Sequence, residues 1–151
     1  QKLVVEEMKG KPESGNIVTE DGEVLGKHNG LFNYTIGQRK GLGIAYKHPL
    51  YVIGFNGDRN EVIVGPNERL FTNRMICKFY NFLDDTIHKE LKAEGKIRYA
   101  ANPSPCTARI LDDDTMEVIF EEPQRAITPG QSVAFYNGTQ LLGGAVIDRV
   151  C

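Results

Sequence analysis

Ten residues concentrate the chemistry of this chain: Tyr34-Thr35-Ile36-Gly37-Gln38-Arg39-Lys40-Gly41-Leu42-Gly43. Three glycines, an amide and two adjacent cations follow directly on an aromatic and β-branched run. Glycine at this density serves either unusual backbone angles or the close approach of another group. With Gln38, Arg39 and Lys40 presented between the glycines, a phosphate backbone is the natural candidate for that group. The stretch is not a known nucleotide cradle. A P-loop requires Lys-Ser/Thr after its last glycine, and here Leu42 follows Gly41. The dinucleotide fingerprint requires a third glycine where Tyr46 stands. Two readings stay open at this point, a polyanion-binding loop and a tight structural turn with solvated cations.

The other reactive residue types are sparse. Cys77, Cys106 and Cys151 are odd in number and widely spaced. That argues against a disulfide framework and against a zinc site, and it fits a reducing, cytoplasmic compartment. Buried cysteines of this kind act as small hydrophobes. His28, inside a glycine turn, is expected to bond nearby backbone. The net charge of −2 at first argues against a nucleic-acid partner, but its distribution argues the other way. No acid occurs between Glu23 and Asp58, a window holding Lys27, Arg39, Lys40 and Lys47 with His28 and His48. A second acid-free window runs from Lys96 to Leu111 and holds Arg98 and Arg109. Local fields steer charged partners more than the sum does.

The elements that must position these residues are short. Asp21-Gly22 between two apolar runs signals a hairpin from Asn16 to Leu25. Leu50–Phe55 and Glu61–Gly65 make a second hairpin around Asn56-Gly57-Asp58. Pro66–Phe71 reads as one helical turn. Arg74–Phe82 is expected as a strand with Met75, Cys77 and Phe79 on one face and Ile76, Lys78 and Tyr80 on the other. The polar region Leu83–Glu94 reads as a short helix or loop, and Lys96–Tyr99 as a short strand. Cys106–Leu111 and Met116–Phe120 form a hairpin over a solvated tip at Asp112-Asp113-Asp114. Gln131–Tyr136 and Leu141–Ile147 form another across Asn137-Gly138. Short strands, frequent glycine turns and no long helix make the chain mostly β. The expected organisation is a linker or the end of a preceding domain over 1–14, a small β-rich central domain over 15–73 and a small C-terminal β-barrel over 74–151. At 151 residues, 40% hydrophobic and 25% charged, the chain is globular and has no membrane span. It begins at Gln1 without a leader pattern, which reads as a cut point inside a longer protein.

The motifs in order resemble a known family. Gly15-Asn16-Ile17-Val18, Gly26-Lys27-His28-x-Gly30 and the ten-residue glycine stretch resemble the central domain of the bacterial tRNA-specific 2-thiouridylases. Ile97-Arg98-Tyr99, Pro123-Gln124-Arg125-Ala126-Ile127-Thr128-Pro129-Gly130-Gln131 and Leu142-Gly143-Gly144 resemble their C-terminal β-barrel. The resemblance implies an enzyme that adenylates a wobble uridine of tRNA with ATP and then delivers persulfide sulfur. It implies as partners tRNA, an N-terminal nucleotide-binding domain of the same protein and a persulfide sulfur-donor protein. The family's Ser-Gly-Gly-x-Asp-Ser loop is nowhere in this sequence, and the three cysteines do not match the catalytic pair. No catalytic, cofactor-binding or metal residue is therefore expected within these residues, and ATP belongs to the parent enzyme. The tRNA contacts carry over to Arg98, Tyr99 and Gln131, and Arg39 and Lys40 join them as expected tRNA or interdomain contacts. Arg can hold phosphate bidentately or stack, Tyr offers a π-face, and Gln can bond a base edge or sugar. The sequence departs from the pattern at Ala100-Ala101, where the family often has a further basic residue. On the residues alone, Tyr99 equally suits the barrel core and Gln131 equally suits a turn-capping amide. A protein-interaction barrel that docks a partner or the catalytic domain is the alternative function.

Overall fold

A computed structural model describes residues 13–84, 89–97 and 102–151. The chain divides into two compact units, Gln1–Leu70 and Phe71–Cys151.

The first unit is a four-stranded sheet. Its strands are β1 (Gly15–Thr19), β2 (Val24–His28), β3 (Tyr51–Asn56) and β4 (Glu61–Gly65), with 3-10 turns at Leu31–Asn33 and Asn67–Leu70. Both expected hairpins form. β1 and β2 are antiparallel around Gly22, whose φ of 91° only glycine adopts freely, and β3 and β4 are antiparallel around residues 57–60. The sheet order is β2-β1-β4-β3, so the two hairpins join along a parallel β1–β4 seam, from Asn16↔Glu61 to Thr19↔Val64. Ile17, Val52, Val62 and Val64 are fully buried in its core together with Leu31, Leu42 and Leu50. Leu42 comes from the glycine stretch, which is thereby pinned to the sheet by an apolar side chain.

The second unit is a closed six-stranded barrel. β5 (Phe71–Phe82), β6 (Glu90–Lys96), β7 (Ser104–Ile110), β8 (Thr115–Arg125), β9 (Ser132–Asn137) and β10 (Gln140–Val150) close in the order β10-β5-β8-β7-β6-β9. Closure leaves no open edge, which suits short strands joined by tight turns. Met75, Met116, Val118, Phe120, Val133, Phe135 and Ile147 fill the interior, with Cys77 and Cys106 among them. The hairpins over Asp112–Asp114 and over Gly138 form as expected. At the first tip Asp112 Oδ1 accepts the N–H groups of Asp114 and Thr115, each at 2.9 Å.

Two expectations are corrected. The segment Leu83–Glu94, read as a short helix or loop, contains the first five residues of β6 (Glu90–Lys96); of the strand expected at Lys96–Tyr99, Lys96 closes β6, Ile97 lies past its end, and Arg98 and Tyr99 lie outside the described residues. Glu, Lys and Ala are poor strand formers, so local preference points away from the observed state. The period is nonetheless two: Glu90 and Lys92 are exposed while Leu91 and Ala93 turn inward, and pairing with both β7 and β9 decides the outcome. The two-face alternation of β5 breaks at Phe79. The β5–β10 register passes from Asn81↔Gly144 to Lys78↔Val146, so Phe79 and Tyr80 together face Ala145. This is a β-bulge, and it turns Phe79 outward at φ 54° and 66% exposure.

Candidate nucleic-acid interface

The glycine stretch runs between the first 3-10 turn and β3 and is tied to both. Gly37 N–H donates to Val52 O (2.8 Å), and Val52 N–H donates back to Gln38 O (2.9 Å). The Gln38 side chain braces the loop from within: its Oε1 accepts Thr35 N–H (3.0 Å) and its amide nitrogen donates to Lys40 O (2.9 Å). Gln38 is thus spent on the loop itself. Gly37, Gly41 and Gly43 have φ of 91°, 79° and 68°, in the region that favours glycine. A Cβ at Gly43 would meet nothing within 4 Å, so Gly43 is there for its backbone angle and not for crowding by this chain.

This scaffold leaves Arg39 and Lys40 exposed, and neither forms an ion pair among the described residues. Beside the loop lies a cleft of about 530 Å³, lined by Arg39 and residues 41–50, none of them acidic. In it the Tyr46 and His48 rings meet edge-on, 5.0 Å apart at 87°, and Lys47 Nζ stands 5.8 Å from the Tyr46 centroid. His48 Nδ1–H donates to Pro49 O (3.1 Å). A neighbouring cleft of about 440 Å³ shares His48 and Pro49 and has Glu68 in its lining. Tyr46 did not stand out in the sequence beyond its mismatch to a dinucleotide motif. The available signal was an aromatic, a lysine and a histidine in a row inside an acid-free window.

His28 anchors the same unit. It is 2% exposed; its Nε2–H donates to Asn60 O (2.7 Å) and its Nδ1 accepts Gly30 N–H (3.0 Å), which places the neutral ring's proton on Nε2. Tyr34 meets its ring edge-on at 5.8 Å. This is the structural role its position in a glycine turn suggests.

In the barrel, Gln131 follows a turn built by backbone alone. Gly130 has φ 91°, Gln131 N–H donates to Thr128 O (3.2 Å), and Ile147 N–H donates to Gln131 O (2.8 Å). Proline then positive-φ glycine at the two central positions is the type II pattern. The Gln131 side chain is exposed and makes no hydrogen bond among the described residues, so it does not cap this turn. Arg98 and Tyr99 lie outside the described residues. Arg39 and Lys40 belong to the first unit and Gln131 to the second.

Three of the barrel's cations differ from those of the glycine loop in being matched by acids. Glu117, 5% exposed, is held by Arg74 (2.6 Å) and Arg109 (2.9 Å), and Lys78 pairs with Asp148 (3.2 Å). The Arg74 guanidinium, followed by its neighbour Arg109, holds the Glu117 carboxyl below the usual carboxylate range. Cys77 and Cys106 are chemically quiet, because burial pushes each thiol up to about 12 and leaves no thiolate at neutral pH. No group of three or more His, Cys, Asp or Glu side chains able to hold a metal occurs among the described residues.

Comparison with known proteins covers both units. Residues 72–147 match the family model described as aminomethyltransferase beta-barrel domain, and residues 2–66 match the tRNA methyl transferase PRC-barrel domain. Similar curated proteins include the tRNA-specific 2-thiouridylase MnmA of Clostridioides difficile (strain 630), 46% identical over 91% of this chain and 38% of that protein. The protein of the same name from Clostridium botulinum (strain Alaska E43 / Type E3) is 45% identical over 99% of this chain and 42% of its own length. That from Geotalea uraniireducens (strain Rf4) is 46% identical over 96% and 39%. The chain thus spans about two-fifths of the length of the curated relatives it matches. A PRC-barrel-type unit carrying the glycine loop, followed by a closed barrel carrying Gln131, matches these proteins in sequence throughout, and the chain belongs to the tRNA-specific 2-thiouridylase family.

Proposed function

We propose that this chain is the tRNA-holding part of a tRNA-specific 2-thiouridylase, with the chemistry of ATP-dependent 2-thiolation carried by a nucleotide-binding domain of the same protein. The observation that carries the reading is the contrast in cations. Arg39 and Lys40 stand on a loop stiffened by Gln38 and pinned by Leu42, without ion pairs among the described residues, whereas Arg74, Arg109 and Lys78 are matched by acids. Unpaired cations on a stiff loop suit phosphates, whose counterions are released on binding. The name the relatives carry, tRNA-specific 2-thiouridylase, supplies the polyanion.

In this reading the central domain, 15–73, offers Arg39 and Lys40, and the barrel, 74–151, offers Arg98, Tyr99 and Gln131. Arg98 and Lys40 hold phosphate, Tyr99 offers a stacking face, and the exposed Gln131 amide bonds a base edge or a ribose hydroxyl. The buried Cys77 and Cys106 thiols take no part in sulfur transfer. A persulfide donor protein and the nucleotide-binding domain are the remaining partners, in the cytoplasm; no helix among the described residues is long and apolar enough to cross a membrane.

Fluorescence anisotropy of labelled substrate tRNA, titrated with the chain at low and near-physiological salt, tests this. Salt-sensitive binding is expected, with Arg98→Ala and Lys40→Ala each lowering the salt slope by about 0.7 to 0.9 for every phosphate left without its cation. No binding at either salt overturns the reading in favour of a docking module.

A further inference from the structure

The cleft beside the glycine loop has chemistry that phosphate contacts alone do not use. Its lining combines Arg39 and Lys47 with an aromatic ring and an imidazole, and it contains no carboxylate. A loop that served only as a turn would have no use for Tyr46 at 37% exposure, a ring that contributes nothing to the buried core of its unit. The ring is also held in place. His48 meets it edge-on at 5.0 Å, and His48 is itself fixed through Nδ1–H to Pro49 O, which leaves Nε2 facing no partner among the described residues. Lys47 Nζ lies over the ring, 5.8 Å from its centroid, so a base would stack on the opposite face with a positive charge behind the π-system. Gly41 and Gly43 keep the rim bare of side chains, so a ligand can approach the backbone there.

We propose that this cleft takes one unstacked nucleotide of an RNA strand, its base against Tyr46 and its flanking phosphates on Arg39 and Lys47. The imidazole Nε2 of His48 accepts from a ribose 2′-hydroxyl or a base amino group. Three features select a nucleotide over a generic anion. A planar, electron-rich face next to cations suits base stacking with adjacent phosphates, the combination used by proteins that hold single strands. The cleft's volume of about 530 Å³ lies within the ordinary range for small-ligand sites, about 300 to 1,000 Å³. The adjoining cleft, which shares His48 and Pro49, carries the carboxylate of Glu68 in its lining, so phosphate is favoured in the acid-free cleft. Double-stranded RNA keeps its bases stacked inside and cannot offer one to Tyr46.

The inference rests on the tRNA-holding reading, and its test separates the two. The full 151-residue chain is titrated into labelled tRNA, labelled hexauridylate and a labelled RNA duplex of equal charge, with wild type, Tyr46→Phe, Tyr46→Leu and Lys47→Ala. Tyr46 is exposed, and a thermal melt checks that each variant is folded. The expected result is that Tyr46→Leu weakens hexauridylate and tRNA about fivefold or more while Tyr46→Phe keeps wild-type affinity, because the phenyl ring still stacks. Lys47→Ala is expected to lower the single-strand salt slope by about 0.7. Duplex affinity is expected to be indifferent to Tyr46. If tRNA binds but Tyr46→Leu changes nothing, or if a polyglutamate peptide displaces hexauridylate as well as unlabelled RNA does, the nucleotide subsite is overturned and the tRNA reading stands. If no RNA binds, both are overturned.

Discussion

Glu117 shows how a residue that looks solvated in sequence becomes a structural ion. It alternates with Met116 and Val118 and so points to the barrel's outer wall, where Ile119 and Glu121 are indeed exposed. Arg109 lies directly opposite it on β7 and Arg74 reaches from β5, and the two guanidinium groups roof the carboxylate. The carboxylate is nearly buried while both guanidinium partners stay half exposed, so the two ion pairs offset the water Glu117 has lost. The folded carboxyl titrates below its ordinary value of 4.5, so its contribution is fully present above that value and lost as pH falls through the lowered folded value. Glu117→Gln is therefore expected to be less stable than wild type in urea melts at about pH 7, with the gap closing toward about pH 3. An equal gap at both values would show that packing, not ionisation, accounts for the loss. The sequence made the face of Glu117 legible but not its partners, because they depend on the register of two other strands. Gln38 is the reverse case. Its place among glycines and cations suggested a contact to a ligand, and only the backbone path shows both ends of its amide used within the loop.

At the scale of elements, two glycines in the first sheet separate crowding from freedom. A Cβ on Gly15 in β1 would clash with Asn60 O and stand 2.7 Å from His28 Nε2, a backbone atom and a buried ring that cannot move aside. A Cβ on Gly54 in β3 would meet nothing within 4 Å. Gly15→Ala is expected to cost about 2 to 3 kcal/mol, as overpacking does, while Gly54→Ala is neutral or slightly stabilising. Thermal or urea unfolding of the two variants checks this, and equal effects would overturn the account of the His28–Asn60 contact. Hairpins were the elements most legible in sequence, since Asp21-Gly22 and Gly138 announce themselves through turn chemistry. β6 was not legible, because its Glu-Leu-Lys-Ala-Glu-Gly-Lys composition favours other states and it is held by strands on both sides. Gly95 within it is small for a reason visible only after folding: Phe120 and Cys106 stand 3.0 to 3.2 Å from where its Cβ would be.

For the whole molecule, net charge misleads and its partition informs. Acids pair with Arg74, Arg109 and Lys78 of the barrel and cluster at the tip Asp112–Asp114, and the glycine loop is left basic. With no Ser-Gly-Gly-x-Asp-Ser loop in the sequence, calorimetry with ATP is expected to give no saturable heat. Saturable binding would place a nucleotide site within these two units. The mostly β class and the closing barrel were legible from strand spacing, whereas the parallel β1–β4 seam was not, because no local signal links residues so far apart. That seam has a consequence for how the protein is made. Asn16 pairs with Glu61, so the first hairpin emerges from the ribosome long before the strand that covers it. Until β4 has been synthesised, β1 is paired on its β2 side alone and presents an open edge with Ile17 uncovered, the kind of surface on which nascent chains aggregate. The basic loop is synthesised within that interval, and its two backbone bonds to Val52 wait on β3, which is itself held in the sheet only through β4.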